Sequence, residues 1–132
     1  YEEERAPLVD YSAPLSYLYE PDVALTKAGA FKTIVNRFDV KKLHKSTHLY
    51  TSDQKIPDFP GKIFMIKQVE SFTEFKKKKS PLIADIIAKN FPLKTEEIKK
   101  KFKIRDAGDT FTFFTTILNN QLTVIHTQRI LE

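Results

Sequence analysis

The sequence contains no cysteine and only three glycines, Gly29, Gly61 and Gly108. Without cysteine, the chain forms no disulfide, holds no zinc ion through thiolates and carries no cysteine nucleophile. The scattered glycines exclude a GxGxxG turn and a Walker A loop, because both need several glycines close together where backbone approaches phosphate. No apolar run approaches the ~18 residues of a membrane-spanning helix. These absences exclude most nucleotide-using enzyme cores and predict no cofactor within this chain.

What the sequence does contain is the composition of a globular domain. Its 132 residues have a hydrophobic fraction of 41% and a formal net charge of +5. Domains usually have roughly 100–150 residues, so this length predicts one domain. A chain of this size buries enough apolar surface to form a core without covalent cross-links.

The first part of the chain differs in charge from the rest. Residues 1–22 carry six acidic side chains, one basic side chain and three prolines. We predict that residues 1–16 are an acidic, proline-containing linker from a preceding domain and that residues 17–132 are the folded domain. The chain begins at Tyr1 with neither methionine nor a basic and apolar leader. We therefore expect a cytoplasmic fragment of a longer protein.

Positive charge is concentrated in the second half of the chain. The segment from Lys76 to Arg105 holds eleven basic and three acidic side chains. Such a segment attracts phosphates, and neutralising each phosphate releases counterions, which favours nucleic-acid binding. The alternative is that these lysines form only a solvated surface that keeps the domain in solution.

Hydrophobic spacing predicts an α+β fold, in which helices pack on a single mixed, largely antiparallel sheet. A stripe of apolar residues at three- and four-residue steps predicts a first helix from Pro21 to Phe38. Leu82–Lys89 is almost continuously apolar, which is typical of a central strand covered on both faces. Thr95 is the predicted cap of a later helix, and Asn119-Asn120 the predicted two-residue turn of a final hairpin.

Candidate catalytic side chains are few. His44 and His48 lie four apart, and with an acid such as Asp53 they would form a metal site, although surface histidines at a loop are the more ordinary interpretation. We interpret His126 on the last strand as a half-buried, hydrogen-bonded histidine. Asp85 lies inside an apolar run, and it either forms a salt bridge, takes an edge position or is a perturbed catalytic acid. The serines lack nucleophile motifs, and we predict no catalytic or metal residue.

Several segments together resemble a known family. The string from Tyr19 to Phe31, YEPDVALTKAGAF, is similar to the opening of the THUMP-like C-terminal domain of bacterial class I S-adenosylmethionine-dependent methyltransferases. The similarity covers about residues 17–128, and the further segments that match in order are Lys42–His44, His48–Asp53, Phe59–Phe64, Lys89–Leu93 and Asp106–Thr110.

The resemblance implies a division of labour within a longer methyltransferase. A catalytic domain N-terminal to this one would hold S-adenosylmethionine, and this domain would bind structured RNA, either tRNA or rRNA, and position it for modification. Folded RNA is recognised mostly by shape and through phosphates, which suits lysine clusters on a rigid body. The predicted RNA contacts are Lys27, Lys89, Lys99, Lys100, Lys103 and Arg105, with the Lys76–Lys79 run a weaker candidate.

Two other functions remain open at this level. The domain is alternatively a non-catalytic scaffold that packs on the methyltransferase domain, which predicts an exposed apolar patch and no RNA affinity. The third and least favoured reading is a small metal-dependent enzyme that uses His44, His48 and Asp53.

Overall fold

The computed structural model describes residues 11–27, 31–78 and 82–131. Most of the predicted linker and three residues of the predicted first helix lie outside the described residues. None of the described helices is long and apolar enough to cross a membrane. The described elements, in chain order, are β1 Tyr17–Pro21, α1 Val23–Lys27, α2 Phe31–Arg37, β2 Lys41–His44, β3 Thr47–Ser52, β4 Gly61–Ser71, α3 Phe72–Lys77, β5 Asp85–Lys89, α4 Thr95–Phe102, β6 Thr110–Ile117 and β7 Gln121–Ile130.

The seven strands form one mixed sheet in the order β2-β3-β1-β4-β7-β6-β5. All neighbouring strands are antiparallel except β5 and β6, which are parallel. The predicted α+β class with a single, largely antiparallel sheet is therefore confirmed. Long β4 and β7 lie side by side at its centre and join the two halves of the chain.

The structure corrects the expected start of the first helix. Pro21 is the last residue of β1 and pairs with Gly61, and α1 begins only at Val23. β1 lies between β3 and β4, and its buried Leu18 and Tyr19 point to opposite, covered faces of the sheet. Tyr17–Pro21 is thus an integral strand, and neither it nor β2 is predicted from the sequence pattern.

The predicted central strand is in fact an edge strand. β5 is the last strand of the sheet and pairs only with β6 among the described strands. Both its faces are nevertheless covered, since Ile86 packs in one core cluster and Ile87 against another. An apolar run reports that the faces of a strand are buried, and it carries no information on whether both lateral edges are paired.

The core has an inner part enclosed by the sheet and an outer part covered by helices. Buried strand residues alone form the inner cluster, which includes Leu18, Phe64, Phe113 and Ile125. The sheet curls around them so that β2 and β3 contact β6. Two outer clusters cover the opposite face, one beneath the N-terminal helices and one beneath α3 and α4. The curl brings the end of β5 close to the β2–β3 turn.

Side-chain hydrogen bonds hold the two ends of the curled sheet together. Thr47 Oγ1 donates to the Thr116 carbonyl at 2.7 Å, and Asn90 Nδ2 donates to Thr47 Oγ1 at 3.0 Å. His44 Nε2 lies 2.7 Å from Asn120 Oδ1. These contacts place Asn90, which follows β5, beside the start of β3.

Two predicted boundaries move slightly. The β6–β7 loop is a single 3₁₀ turn, Leu118–Asn120, in which Asn119 and Asn120 have φ angles of 63° and 57°. Asparagine supplies positive φ as predicted, but the loop has three residues. Lys94, not Thr95, precedes α4, and its backbone N–H donates to Glu97 Oε1 at 2.8 Å.

Candidate nucleic-acid interface

The first candidate surface is a cleft of about 790 Å³ between α3 and α4, here termed the helical cleft. Its walls follow from the amphipathic pattern of the two helices, whose apolar faces meet through Phe75 and Phe102 with ring centroids 5.2 Å apart. The polar faces then point outward on both sides. The helical cleft is lined by Gln68, Glu70, Phe75, Lys76, Lys78, Leu82, Lys101, Phe102, Lys103 and His126.

Four lysines surround the helical cleft, two from each helical segment. Lys76 and Lys78 come from α3 and its C-terminal cap, and Lys101 and Lys103 from the corresponding end of α4. Two of the ammonium groups lie near aromatic rings, Lys76 Nζ at 4.9 Å from the Phe72 centroid and Lys101 Nζ at 5.9 Å from the Phe102 centroid. Ammonium groups beside aromatic rings attract phosphates, and the neighbouring apolar surface accommodates the face of a base or sugar.

A closed hydrogen-bond network forms the floor of the helical cleft. His126 Nε2 lies 2.6 Å from Glu70 Oε2, its Nδ1 lies 3.2 Å from Thr112 Oγ1, and Lys78 Nζ lies 2.9 Å from Glu70 Oε1. Burial by itself raises the pKa of Glu70, but hydrogen bonds from Lys78 and His126 outweigh it and hold the pKa below its usual value. Because Thr112 is fully buried, this network is a structural support rather than a nucleophile with its base.

The second candidate surface is a cleft of about 590 Å³ at the meeting point of several strand ends, here termed the strand-end cleft. It combines residues from four separate parts of the chain, which the curl of the sheet brings together. The strand-end cleft is lined by Glu20, Pro21, Asp22, Val23, Lys27, Ser46, Thr47, His48, Lys62, Ala88, Lys89 and Asn90.

An ion pair crosses the strand-end cleft. Lys89 Nζ lies 2.9 Å from Glu20 Oε2, where the Glu20 side chain is 18% exposed and the Lys89 side chain 35% exposed. The other carboxylate oxygen, Glu20 Oε1, is buried and has no hydrogen-bond partner among the described residues. A buried carboxylate oxygen without a donor is unusual, because leaving it unsatisfied costs free energy.

A neutral histidine lies beside this ion pair. Burial lowers the pKa of His48, and the nearby Lys42 and Lys89 cations lower it further. At neutral pH His48 is therefore uncharged, so the positive charge of the strand-end cleft comes from Lys27, Lys62 and Lys89.

The structure distributes the six predicted RNA contacts over separate places. Lys103 lines the helical cleft, and Lys27 and Lys89 line the strand-end cleft. Lys99 is 3.0 Å from Asp106, which raises the pKa of the lysine. Lys100 and Arg105 are exposed and line neither cleft. Three of the six residues thus line a cleft, and these three are divided between the two clefts.

Sequence reasoning missed several lining residues. Lys101 is not among the predicted contacts, because the run Lys99–Lys101 does not distinguish it from its neighbours. Its position three residues after buried Ile98 does indicate a place at the flank of the apolar face. The Lys76–Lys79 run received less weight, yet Lys76 and Lys78 line the helical cleft, while Lys79 lies outside the described residues. For Glu20 and Lys62, no local signal exists, because only strand pairing brings them together.

The other chemical candidates acquire structural roles. His44 Nδ1 accepts a hydrogen bond from the Ser46 N–H, while Nε2 contacts Asn120. Asp85 starts the edge strand and accepts from the Ala107 N–H at 3.1 Å. Within the described part of the chain, no three His, Asp or Glu side chains are grouped to hold a metal ion. The interpretation of His126 as a satisfied histidine is confirmed by its two partners.

Comparisons with known proteins divide the chain at the start of β4. Residues 17–60 match a ferredoxin-like domain family, and residues 61–129 match a THUMP domain-like family. The motif resemblance to a THUMP-like domain is thus confirmed for the second half, whereas the first half is matched to the ferredoxin-like family. The border does not separate two sheets, since β1 pairs with β4 across it, and the strand-end cleft has walls from both halves.

A solved structure extends the similarity over the whole chain. The crystal structure of a proposed methyltransferase from Porphyromonas gingivalis W83 is 34% identical, covers 98% of this chain and has a TM-score of 0.86. This chain spans 33% of that protein. No curated protein sequence matches the chain.

Proposed function

We propose that this chain, which belongs to the THUMP domain-like family, binds structured RNA for an S-adenosylmethionine-dependent methyltransferase in the cytoplasm. In this role it has no catalytic residue of its own. It holds a folded RNA, such as tRNA or rRNA, so that a target nucleotide reaches a catalytic domain in the same protein. S-adenosylmethionine would be bound by that catalytic domain and not by this chain.

The observation that carries the proposal is the helical cleft. Four lysines on α3, α4 and their C-terminal caps surround an open cleft whose lining also includes the apolar side chains Phe75, Leu82 and Phe102. Because A-form RNA presents phosphates and 2′-hydroxyls rather than readable base edges, such a surface suits shape-based recognition. The similarity to a much longer proposed methyltransferase supports the link to a catalytic domain, since two-thirds of that protein lies outside the matched part.

The first test is binding of the chain to mixed tRNA and to folded rRNA fragments at several salt concentrations. We expect micromolar or tighter binding near 0.1 M salt, which weakens on a log–log plot with a slope that corresponds to several phosphates. Double charge reversal of Lys101 and Lys103 to glutamate is expected to weaken binding, whereas reversal of exposed Lys41 and Lys55, outside both clefts, serves as the matched control.

Absence of binding at ~50 mM salt contradicts the proposal, because screening is weak there. Equal effects of the two double variants would also contradict it, because they would show that RNA binding depends on the net charge of the chain and not on the helical cleft. The scaffold alternative would then lead. Its apolar contact residues would come from the exposed side chains Tyr11, Val23, Met65, Val69, Ile83 and Leu131, of which only Met65 and Val69 share an element.

A further inference from the structure

We propose that the strand-end cleft binds one nucleotide unit of the RNA, with its phosphate at Lys27 and Lys62 and a hydrogen-bond donor of its ribose or base on the Glu20 carboxylate. This inference rests on the proposed function and adds a specific nucleotide subsite to it. It assigns the helical cleft to general phosphate attraction and the strand-end cleft to recognition of a chemical group.

The first observation is the unsatisfied acceptor. Glu20 Oε2 is paired with Lys89, but Glu20 Oε1 is buried without a partner among the described residues. Glu70 Oε1 in the helical cleft likewise lacks a hydrogen bond, although Lys78 Nζ lies 2.9 Å from it as an ion-pair partner. The torsion that orients a glutamate carboxylate is broad, so a modest rotation presents Glu20 Oε1 to the cleft that Glu20 lines.

The second observation is the arrangement of charge. Lys27 and Lys62 are exposed at the rim and form no ion pair with a described residue, whereas Glu20 lies deeper. A simple anion would meet the carboxylate as well as the lysines and would be repelled by it. A nucleotide suits both the lysines and the carboxylate. Its phosphate carries the negative charge that the lysines attract, and its 2′-hydroxyl or base amino group is a neutral donor for Glu20.

The third observation is the position of the cleft. Its walls come from β1 and α1, from the β2–β3 turn, from β4 and from the end of β5. Four of the segments that carry the family resemblance therefore meet at one place. Asn90 has a positive φ of 54° and is fixed by its hydrogen bond to Thr47, so the wall at the end of β5 is held in one conformation.

The test compares three hexanucleotide probes, riboadenylate, deoxyriboadenylate and riboinosinate, for binding to the wild-type chain and to Glu20→Gln. In the variant, Lys89 still needs an acceptor, so the amide oxygen turns to Lys89 and the amide N–H₂ replaces the free acceptor. We expect the wild-type chain to bind riboadenylate about tenfold more tightly than the probe that lacks the donor contacted by Glu20. About tenfold is the usual value of a hydrogen bond to a charged group. Preference over the deoxy probe identifies the hydroxyl as donor, and preference over inosinate identifies the base amino group.

Glu20→Gln is expected to lose this preference while keeping or raising overall affinity, because it removes one negative charge. Asp22→Asn is the matched control, since it removes the same charge from the same cleft and should keep the preference. A wild type that binds all three probes equally overturns the subsite and leaves the proposed function standing. So does a Glu20→Gln variant that retains the preference and the wild-type melting temperature. Failure of wild type to bind any RNA overturns both proposals.

Discussion

The helical cleft and the strand-end cleft are both basic, yet their charges have different origins. In the helical cleft, the lysines come from two short segments, at the ends of α3 and α4. In the strand-end cleft, Lys27, Lys62 and Lys89 each come from a different element. The first is a local property of amphipathic helices, and the second exists only when the sheet has curled.

The acid in each cleft sharpens the comparison. Glu70 lies between two basic side chains, with His126 Nε2 2.6 Å from Oε2 and Lys78 Nζ 2.9 Å from Oε1, and these groups hold its pKa low, although Oε1 has no hydrogen bond. Glu20 has one oxygen with a partner and one without among the described residues. An acid held between two basic groups stabilises the fold, whereas an acid that pairs with one lysine retains capacity for a ligand. The comparison therefore separates the two roles that we propose for the clefts, general phosphate attraction and recognition of a chemical group.

The largest expected effect comes from Gly61→Ala, which damages the strand-end cleft and leaves the helical cleft intact. A Cβ at Gly61 would lie 2.2 Å from the Glu20 carbonyl oxygen and 2.7 Å from Pro21 Cα, both backbone atoms that cannot yield easily. We expect a loss of about 3 kcal/mol of unfolding free energy, or roughly 10 °C in melting temperature, measured by circular dichroism.

Gly108→Ala is the control for this prediction, because nothing lies within 4 Å of a Cβ placed there. It should change stability by less than about 1 kcal/mol, in the stabilising direction, through the smaller entropy of the unfolded chain. Equal melting temperatures for Gly61→Ala and wild type would show that β1 and β4 do not approach as closely as described.

The next effect compares charge reversal in the two clefts. Lys101→Glu with Lys103→Glu is expected to weaken RNA binding about 30-fold at low salt, and Lys27→Glu with Lys62→Glu about 10-fold. The second is smaller because Glu20 and Asp22 already reduce the positive potential of the strand-end cleft. Fluorescence anisotropy at two salt concentrations measures both, and the reverse order would place the main phosphate contacts in the strand-end cleft.

The smallest effect concerns Glu70, the acid of the helical cleft that lies between Lys78 and His126. Glu70 has a folded-state pKa below its ordinary value of 4.5, so its contribution to stability is present above pH 4.5 and is lost as the pH falls through the folded-state value. Glu70→Gln should therefore cost about 1 kcal/mol at pH 7 and less near pH 3, as measured by urea unfolding. An equal cost at both pH values would mean that the carboxylate charge contributes nothing.

Local patterns predicted most elements but not their neighbours in the sheet. The helix predicted from Thr95 and the final hairpin lie close to where their cap and turn residues indicated. β5 was predicted as a central strand because its apolar side chains indicate that both faces are buried. Its position at the edge depends instead on which other strands pair with each other. β1 was missed since Pro21 resembles a helix start unless Gly61 is known to lie opposite.

In the candidate sites, too, local clusters are predictable from the sequence and contacts between distant residues are not. The lysine clusters were visible as runs, and the structure placed Lys76, Lys78, Lys101 and Lys103 around one cleft. Lys89 is a predicted RNA contact, and the structure pairs it with Glu20, which lies far away along the chain. No spacing rule connects these two residues, because the contact depends on the curl of the whole sheet.

The sequence by itself therefore determined the α+β class, the types of most elements, the basic character of α3 and α4 and the absence of a cofactor loop. These properties depend on interactions within a few residues or on composition alone. Only the tertiary structure decided the strand order, the curl and the pairing of Glu20 with Lys89. Strand pairing depends on complementarity between distant segments, and the curl follows from the twist accumulated over all seven strands.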